Sequence, residues 1–229
     1  TLQQHKKGLM QQLFPQKGEQ VPKRRFPEFE KDGEWKETKL GDYLSEKPEY
    51  GINAPAVPYS EVLPSYIRIT DISKDGYLLK DKRVSVDREV NESNYLKEGD
   101  ILLARTGASV GKSYKYKIED GRLVFAGFLI RISPDSSRLS SEMLFQFLST
   151  PQYWRWVNFT SMRSGQPGIN GKEYSNMPLS LPPKLEEQQK IADFLSSLDE
   201  LIHAQTEKIA QLKLHKKGLM QQLFPSPNR

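Results

Sequence analysis

The 229-residue sequence has no cysteine. Disulfides, thiolate nucleophiles and thiolate metal sites are excluded, and a cytoplasmic setting fits. Histidine is nearly as scarce: only His5, His203 and His215 occur, each in a segment that reads as helix. The middle of the chain therefore offers no imidazole for metal binding or acid–base work. No apolar run approaches the roughly 20 residues that cross a bilayer as a helix. The first residues are polar and basic, without the apolar core of a signal peptide. Neither sign of charge dominates: 34 Lys and Arg face 29 Asp and Glu, a net of +5. That permits a polyanionic partner without demanding one. Adjacent carboxylates occur as Glu186-Glu187 and Asp199-Glu200, but on a helical stretch where they are solvated. No nucleophile stands beside a base, and these absences point to a binding protein rather than an enzyme.

What is present is organised around residues 182–224. Apolar positions fall at Ile191, Leu195, Leu198, Ile202, Ile209, Leu212, Leu219 and Leu223, in register across the polar interruptions Gln205 and Lys216. This seven-residue repeat with a narrow seam predicts one long projecting helix that needs a helical partner. Pro182 and Pro183 suit a helix start, and Pro225 and Pro227 a stop. The same ending also opens the chain. His5 to Pro15 recurs unchanged as His215 to Pro225, at an offset of 210. Leu2, Leu9 and Leu13 thus match Leu212, Leu219 and Leu223 in the seam. We read residues 1–15 as the tail of a preceding, equivalent helix and the chain as one unit of a tandem repeat. A duplicated capping peptide is the plainer alternative.

Residues 16–33 are expected to be a linker, kept extended by Pro22 and Pro27 and carrying the basic knot Lys23-Arg24-Arg25. Residues 34–181 read as a mainly β domain with a few helices. Trp35 to Leu44 predicts a short strand and then a helical turn. Tyr66 to Ile72 alternates as a strand, with a tight turn at Asp75-Gly76. Gly99-Asp100 turns into the strand Ile101 to Ala104, and two further strand segments flank Gly127. Ser140-Ser141 and Pro151 start helices, and the aromatics from Tyr153 to Phe159 suit the core better than a stacking surface. A Gly-rich polar loop, 164–172, precedes an extended run into the long helix. The fold class is α+β.

Thr106 to Ser113 invites a nucleotide-binding reading. However, Thr106 occupies the first glycine position of a phosphate-binding loop, and the chain continues from Lys112 as a strand instead of a helix. A basic hairpin loop remains, with Arg105, Ser109, Lys112 and Tyr114 as candidates for nucleic-acid contact. A glycine hairpin that only stabilises the sheet reads equally well.

The run Leu181 to Ile202, LPPKLEEQQKIADFLSSLDELI, resembles the start of the conserved spacer helix in specificity subunits of type I restriction–modification systems. Tyr66 to Ile72, Gly99 to Gly107 and Trp35 to Asp42 are similar to that family's target-recognition domain. The family has two such domains held apart by two antiparallel helices, each reading one half of a split DNA target. This sequence carries one domain, one full helix and the tail of another, so the resemblance implies a half-subunit or fragment.

The resemblance further implies a non-catalytic module that binds double-stranded DNA and docks a methyltransferase subunit through its long helix. A restriction subunit would join through the complex. S-adenosylmethionine and ATP would sit on those partners, with no cofactor in this chain. Basic residues would hold the backbone while a few side chains read base edges. Candidate DNA-binding residues are Lys23, Arg24, Arg25, Arg68, Lys74, Arg105, Ser109, Lys112 and Tyr114, with Arg163, Gln166, Asn170 and Lys172 from the second loop. A lone half exposes its seam, which predicts a homodimer through the long helix. The competing readings are a coiled-coil adaptor whose β domain binds protein and a nucleotide-dependent enzyme using residues 107–113.

Overall fold

The chain enters and leaves its central domain through one doorway. Strand β1 (Lys36–Lys39) pairs antiparallel with β10 (Pro178–Leu181), Lys36 opposite Leu181 and Lys39 opposite Pro178. The structure, a computed structural model, describes residues 1–162 and 167–223. A turn of 3-10 helix (Leu40–Tyr43) follows β1, as the sequence predicts.

Two four-stranded sheets form the β portion. One is antiparallel and ordered β2-β9-β6-β7, from Glu49–Tyr50, Leu129–Ile132, Ile101–Ala104 and Ser113–Lys115. The other is mixed and ordered β3-β5-β4-β8, from Ala56–Pro58, Val84–Val86, Ser65–Ile67 and Leu123–Phe125; β4 and β8 run parallel. Strands β6 and β9 are buried along their whole length, matching their near-continuous apolar sequence.

The expected strand from Tyr66 to Ile72 stops early. After Ile67 the chain turns into 3-10 helix at Ile69–Asp71, because Asp71 folds back to accept hydrogen bonds from the Arg68 backbone N–H (2.9 Å) and guanidinium. Local side-chain capping here outcompetes the sheet ladder.

Ser140 caps α2 (Ser141–Phe147) by accepting from Met143 N, and Thr150 caps α3 (Pro151–Ser161) by accepting from Tyr153 N. Tyr153 and Val157 face the core, while Trp154 and Phe159 are exposed, so only part of the aromatic run is interior. A five-residue helix that the sequence analysis missed, α4 (Gly171–Ser175), follows Asn170.

The long helix is α5 (Leu185–Leu223), 39 residues and therefore roughly 58 Å. The prolines expected to end it, Pro225 and Pro227, lie outside the described residues. Helix α1 (Leu2–Leu13) runs antiparallel along its first half: Lys6 meets Asp199 at 2.5 Å, and Phe14 packs on Trp35, whose Nε1 donates to Glu187. Leu9, Met10, Leu13 and Phe14 are all buried there. Each contributes roughly 1.5–3 kcal/mol by removing apolar surface from water.

The seam is not one uniform free ridge. Ile191 and Leu195 are buried in this chain's own core, and Leu198 packs against it. Ile202 is half-buried. Ile209, Leu212, Leu219 and Leu223 are exposed, at 51, 58, 43 and 71%. Half of the heptad stripe is thus satisfied within the chain, by α1 and α2, and half is bare.

Residues 16–33 are not a loose linker. Arg24 N donates to Gln12 O, Trp35 N to Gln20 O at 2.7 Å, and Phe26 packs edge-on against Phe194 of α5.

Candidate nucleic-acid interface

Two glycine-rich loops flagged by the sequence are zipped together. Thr106 and Gly168 form an antiparallel bridge, Gly107 N donates to Pro167 O at 3.1 Å, and Ile169 N donates to Arg105 O at 2.9 Å. The first loop makes its turn through Gly107 (φ 72°) and Gly111 (φ 84°). At Gly111 a Cβ would lie 2.7 Å from Val157 of α3, so both the backbone angle and the space require glycine.

Arg105 stands at the junction. Its backbone N–H donates to Phe128 O, and its guanidinium lies over the Tyr50 ring, 4.7 Å from the centroid. Tyr50 in turn accepts at its hydroxyl from Gly171 N. The Arg105 Nε is buried without a hydrogen-bond partner among the described residues. A buried guanidinium donor left unmatched is costly, and an incoming acceptor would relieve it.

Beside this junction opens a recess of about 610 Å³, framed by residues 52–56, 68–70, 106 and 126–128. Asn53 and Thr70 stand exposed on its rim, and Phe128 is 63% exposed on the turn between β8 and β9. Arg68 reaches the same recess, its guanidinium held by Asp71 at 2.8 and 2.9 Å. That hydrogen bond raises the Arg68 pKa, and the side chain is fully charged at any ordinary pH. A concave surface lined by Arg68, small hydroxyl and amide groups and an exposed aromatic, with Arg105 next in sequence to its Thr106, suits a polyanion with base edges to read.

Other predicted contacts fall elsewhere. Tyr114 is a core residue, 1% exposed, donating its hydroxyl to Asp120 at 2.9 Å. Burial, and then the Asp120 carboxylate, push its pKa far up. Lys112 folds inward onto the carbonyls of Ile72 and Ile69, and burial lowers its pKa. Arg25 is locked to Glu187 under the start of α5. All three sit on segments whose pattern looked exposed, and all three are structural.

Ser109 is half-buried in the turn Gly107–Ser109. Asn170 uses its side-chain oxygen to cap α4, accepting from Glu173 N at 2.9 Å, while Lys172 extends from that helix. Lys23 and Arg24 are exposed near the chain's start, Lys23 facing Glu19 at 3.8 Å. Lys74 lines a different cleft, between the β portion and the α1–α5 pair, with Lys6, Lys7 and His203. Arg163 and Gln166 lie outside the described residues.

Tyr50, Asn53, Thr70, Thr106 and Phe128 were missed. Tyr50-Gly51 and Gly127-Phe128 carried a readable signal, an aromatic set beside a turn glycine. Asn53 and Thr70 gave none. Among the described residues no group of three or more His, Asp and Glu could hold a metal, and no helix is long and apolar enough to cross a membrane.

Comparison with known proteins agrees with this architecture. The chain is 28% identical over 193 residues to the type I restriction enzyme MjaVIII specificity subunit of Methanocaldococcus jannaschii, covering 83% of this chain and 42% of that protein. It is 28% identical over 180 residues to the HindI specificity subunit of Haemophilus influenzae, covering 76% and 37%. The chain thus spans less than half the length of these relatives. Among solved structures it matches a chain from a study of complex assembly and conformational transition of the type I R-M system: TM-score 0.65, 21% identity, 96% of this chain and 50% of that one. It also matches the S subunit of a type I system from M. genitalium, with TM-score 0.60, 14% identity, and 88% and 48% covered. Residues 33–214 match the family model described as type I restriction modification DNA specificity domain, and the chain belongs to that family.

Proposed function

We propose that this chain is a target-recognition unit of a type I restriction–modification complex and reads one half of a bipartite DNA site. The observation that supports this is the zipped pair of loops, which holds the Arg105 guanidinium over Tyr50 while its backbone N–H donates to Phe128 O, next to the recess that Arg68 and Thr106 line. Arg105 and Arg68 supply fixed positive charge, while Asn53, Thr70, Thr106 and Phe128 supply shape and hydrogen bonding toward the groove.

The long helix serves assembly. Its bare half offers apolar surface to a second copy of this chain, and the rest of its surface meets a methyltransferase subunit. The chain itself does no chemistry in this reading; S-adenosylmethionine and ATP belong to the other subunits.

The test is retention on a column of random-sequence duplex DNA, with the salt concentration varied. A steep fall of affinity with salt is expected, because each neutralised phosphate releases counterions. Arg105→Ala should weaken binding. Absence of salt-dependent retention would overturn the proposal and favour a protein-binding adaptor.

A further inference from the structure

The chain crosses from one four-stranded sheet to the other through residues 51–55, between β2 and β3, and the crossing carries Asn53. Ahead of that residue the backbone is pinned. Gly51 N donates to Leu129 O at 3.3 Å and Ile52 N to Phe125 O at 2.8 Å, while Ile52 O accepts from Gly127 N at 2.9 Å. A Cβ at Gly51 would collide with the carbonyl oxygens of Phe125 and Ala126, so the close approach requires glycine. Beyond Asn53, Pro55 fixes its own φ and disfavours the helical region for Ala54.

Tyr66 of β4 closes the clamp. It is 4% exposed, and its hydroxyl donates to Ile52 O at 2.7 Å and to Ala54 O at 3.1 Å, the carbonyls on either side of Asn53. Burial raises the Tyr66 pKa, so the hydroxyl keeps the proton it donates. The backbone is held, and the side chain is not. Asn53 is exposed on the rim of the recess, and its carboxamide makes no hydrogen bond among the described residues.

Other polar groups nearby are already engaged. Arg68 commits Nε and Nη2 to Asp71. Thr70 donates its hydroxyl to Asp71 Oδ1 at 3.3 Å and is left an acceptor. Asn170 caps α4. The Thr106 hydroxyl rotates between donating and accepting, so it tolerates several bases. A carboxamide sets a donor and an acceptor side by side, the complement of N7 and N6 on the major-groove edge of adenine.

We infer that Asn53 is a specificity-determining residue that reads an adenine of the half-site through N6 and N7, and that Tyr66 is the positioning residue that fixes its approach. The inference rests on the DNA-recognition reading and names a base which that reading leaves open. The clamp is what gives the contact its selectivity. A wrong base leaves the amide desolvated and unpaired. A loose loop would shift to relieve that mismatch, and a loop pinned at residues 51, 52 and 54 does not.

The test is selection by the full chain from a random-sequence duplex library, with sequencing of the bound fraction. The parent should enrich a half-site containing an A·T pair that Asn53→Ala no longer selects, with discrimination there falling roughly 5- to 150-fold. Asn53→Asp keeps the shape but has no donor, so the same position should shift toward cytosine, whose N4 donates. Tyr66→Phe should relax that position and no other. Unaltered preference at every position in Asn53→Ala would overturn the adenine contact. So would a weakening of all sequences alike with a shallower salt slope, the mark of a phosphate contact. A parent that enriches no sequence would overturn the recognition reading itself, and the adenine contact with it.

The clamp is decided without DNA. In the free chain, Tyr66→Phe should speed hydrogen exchange several-fold at Ile52 and Gly127, relative to Val86, whose N–H donates to Pro64 O in the same mixed sheet. Equal exchange in the parent and the variant would overturn the positioning role of Tyr66.

Discussion

Arg25 holds Glu187 with two parallel hydrogen bonds, Nε to Oε1 at 2.8 Å and Nη2 to Oε2 at 2.7 Å. Both side chains are out of solvent, 5 and 0% exposed. Trp35 Nε1 donates to the same carboxylate at 3.3 Å, and Arg25 Nη1 donates to Gly33 O. The pair fastens the segment before β1 to the first turn of α5, where a carboxylate also meets the positive end of the helix.

Removing one partner strands a buried charge. Arg25→Ala is expected to cost about 3–5 kcal/mol of stability, measured by urea unfolding. Arg25→Lys keeps the charge but cannot fork, so an intermediate loss is expected. If Arg25→Ala unfolds like the parent and instead loses DNA affinity, Arg25 is a contact residue after all.

Gly111→Ala should destabilise the loop that carries Arg105. The left-handed backbone costs about 1–2 kcal/mol for an alanine. The methyl would also press on Val157 Cγ1 at 2.7 Å. A melting temperature equal to that of the parent would show that α3 yields freely.

Arg105→Ala and Phe128→Ala separate recognition from folding. Phe128 is mostly exposed, so its loss should change stability by no more than about 0.5 kcal/mol while lowering affinity for duplex DNA. For Arg105 the outcome distinguishes two roles. A base contact loses about 1–3 kcal/mol of discrimination at one position, whereas a phosphate contact weakens all sequences alike and reduces the salt slope by about 1. Unchanged binding in both variants would move the interface elsewhere.

Alkaline pH should loosen α5 from the β portion. Tyr77 stacks on His203 of α5, ring centroids 5.8 Å apart. Burial, then the nearby Asp199, Asp75, Glu142 and Glu200, push its pKa up to about 12. An unfolded tyrosine titrates near 10. The folded state therefore holds the proton more tightly, and this contribution to stability is complete below about pH 10. It is lost as pH rises through about 12. Tyr77→Phe should flatten the fall in stability between those values, followed by denaturant midpoints at each pH. Parallel curves for the two proteins would rule Tyr77 out as a source.

The long helix and the strands at residues 101–104 and 129–132 were legible because burial on all sides, or on one stripe, imposes a pattern on sequence. Helix starts at Ser140 and Pro151 were legible from capping chemistry alone. Orientation was harder to read. Lys112 and Tyr114 alternate as a half-exposed strand would, yet Tyr114 finds Asp120 and Lys112 finds two carbonyls from residues some 40 positions away. The Lys112 partners lie too far along the chain to leave a local trace, and Asp120, six residues past Tyr114, meets it only because the chain turns back. The heptad stripe announced that a helix was required, but not that α1 would cover one half and leave the other. In the site, Arg105 and the second loop were visible as Gly-rich polar stretches. Asn53 and Thr70 reach the recess only because the strands beside them pair.

The ribbon of β1 and β10 clasps the two ends of everything from residue 40 to residue 177. Leu40 N donating to Met177 O at 3.0 Å completes the clasp. Rewriting the loops inside it leaves both fastening points unmoved, so the enclosed portion behaves as a cartridge. A different cartridge could be loaded onto the same axle without altering where that axle begins or how far it reaches.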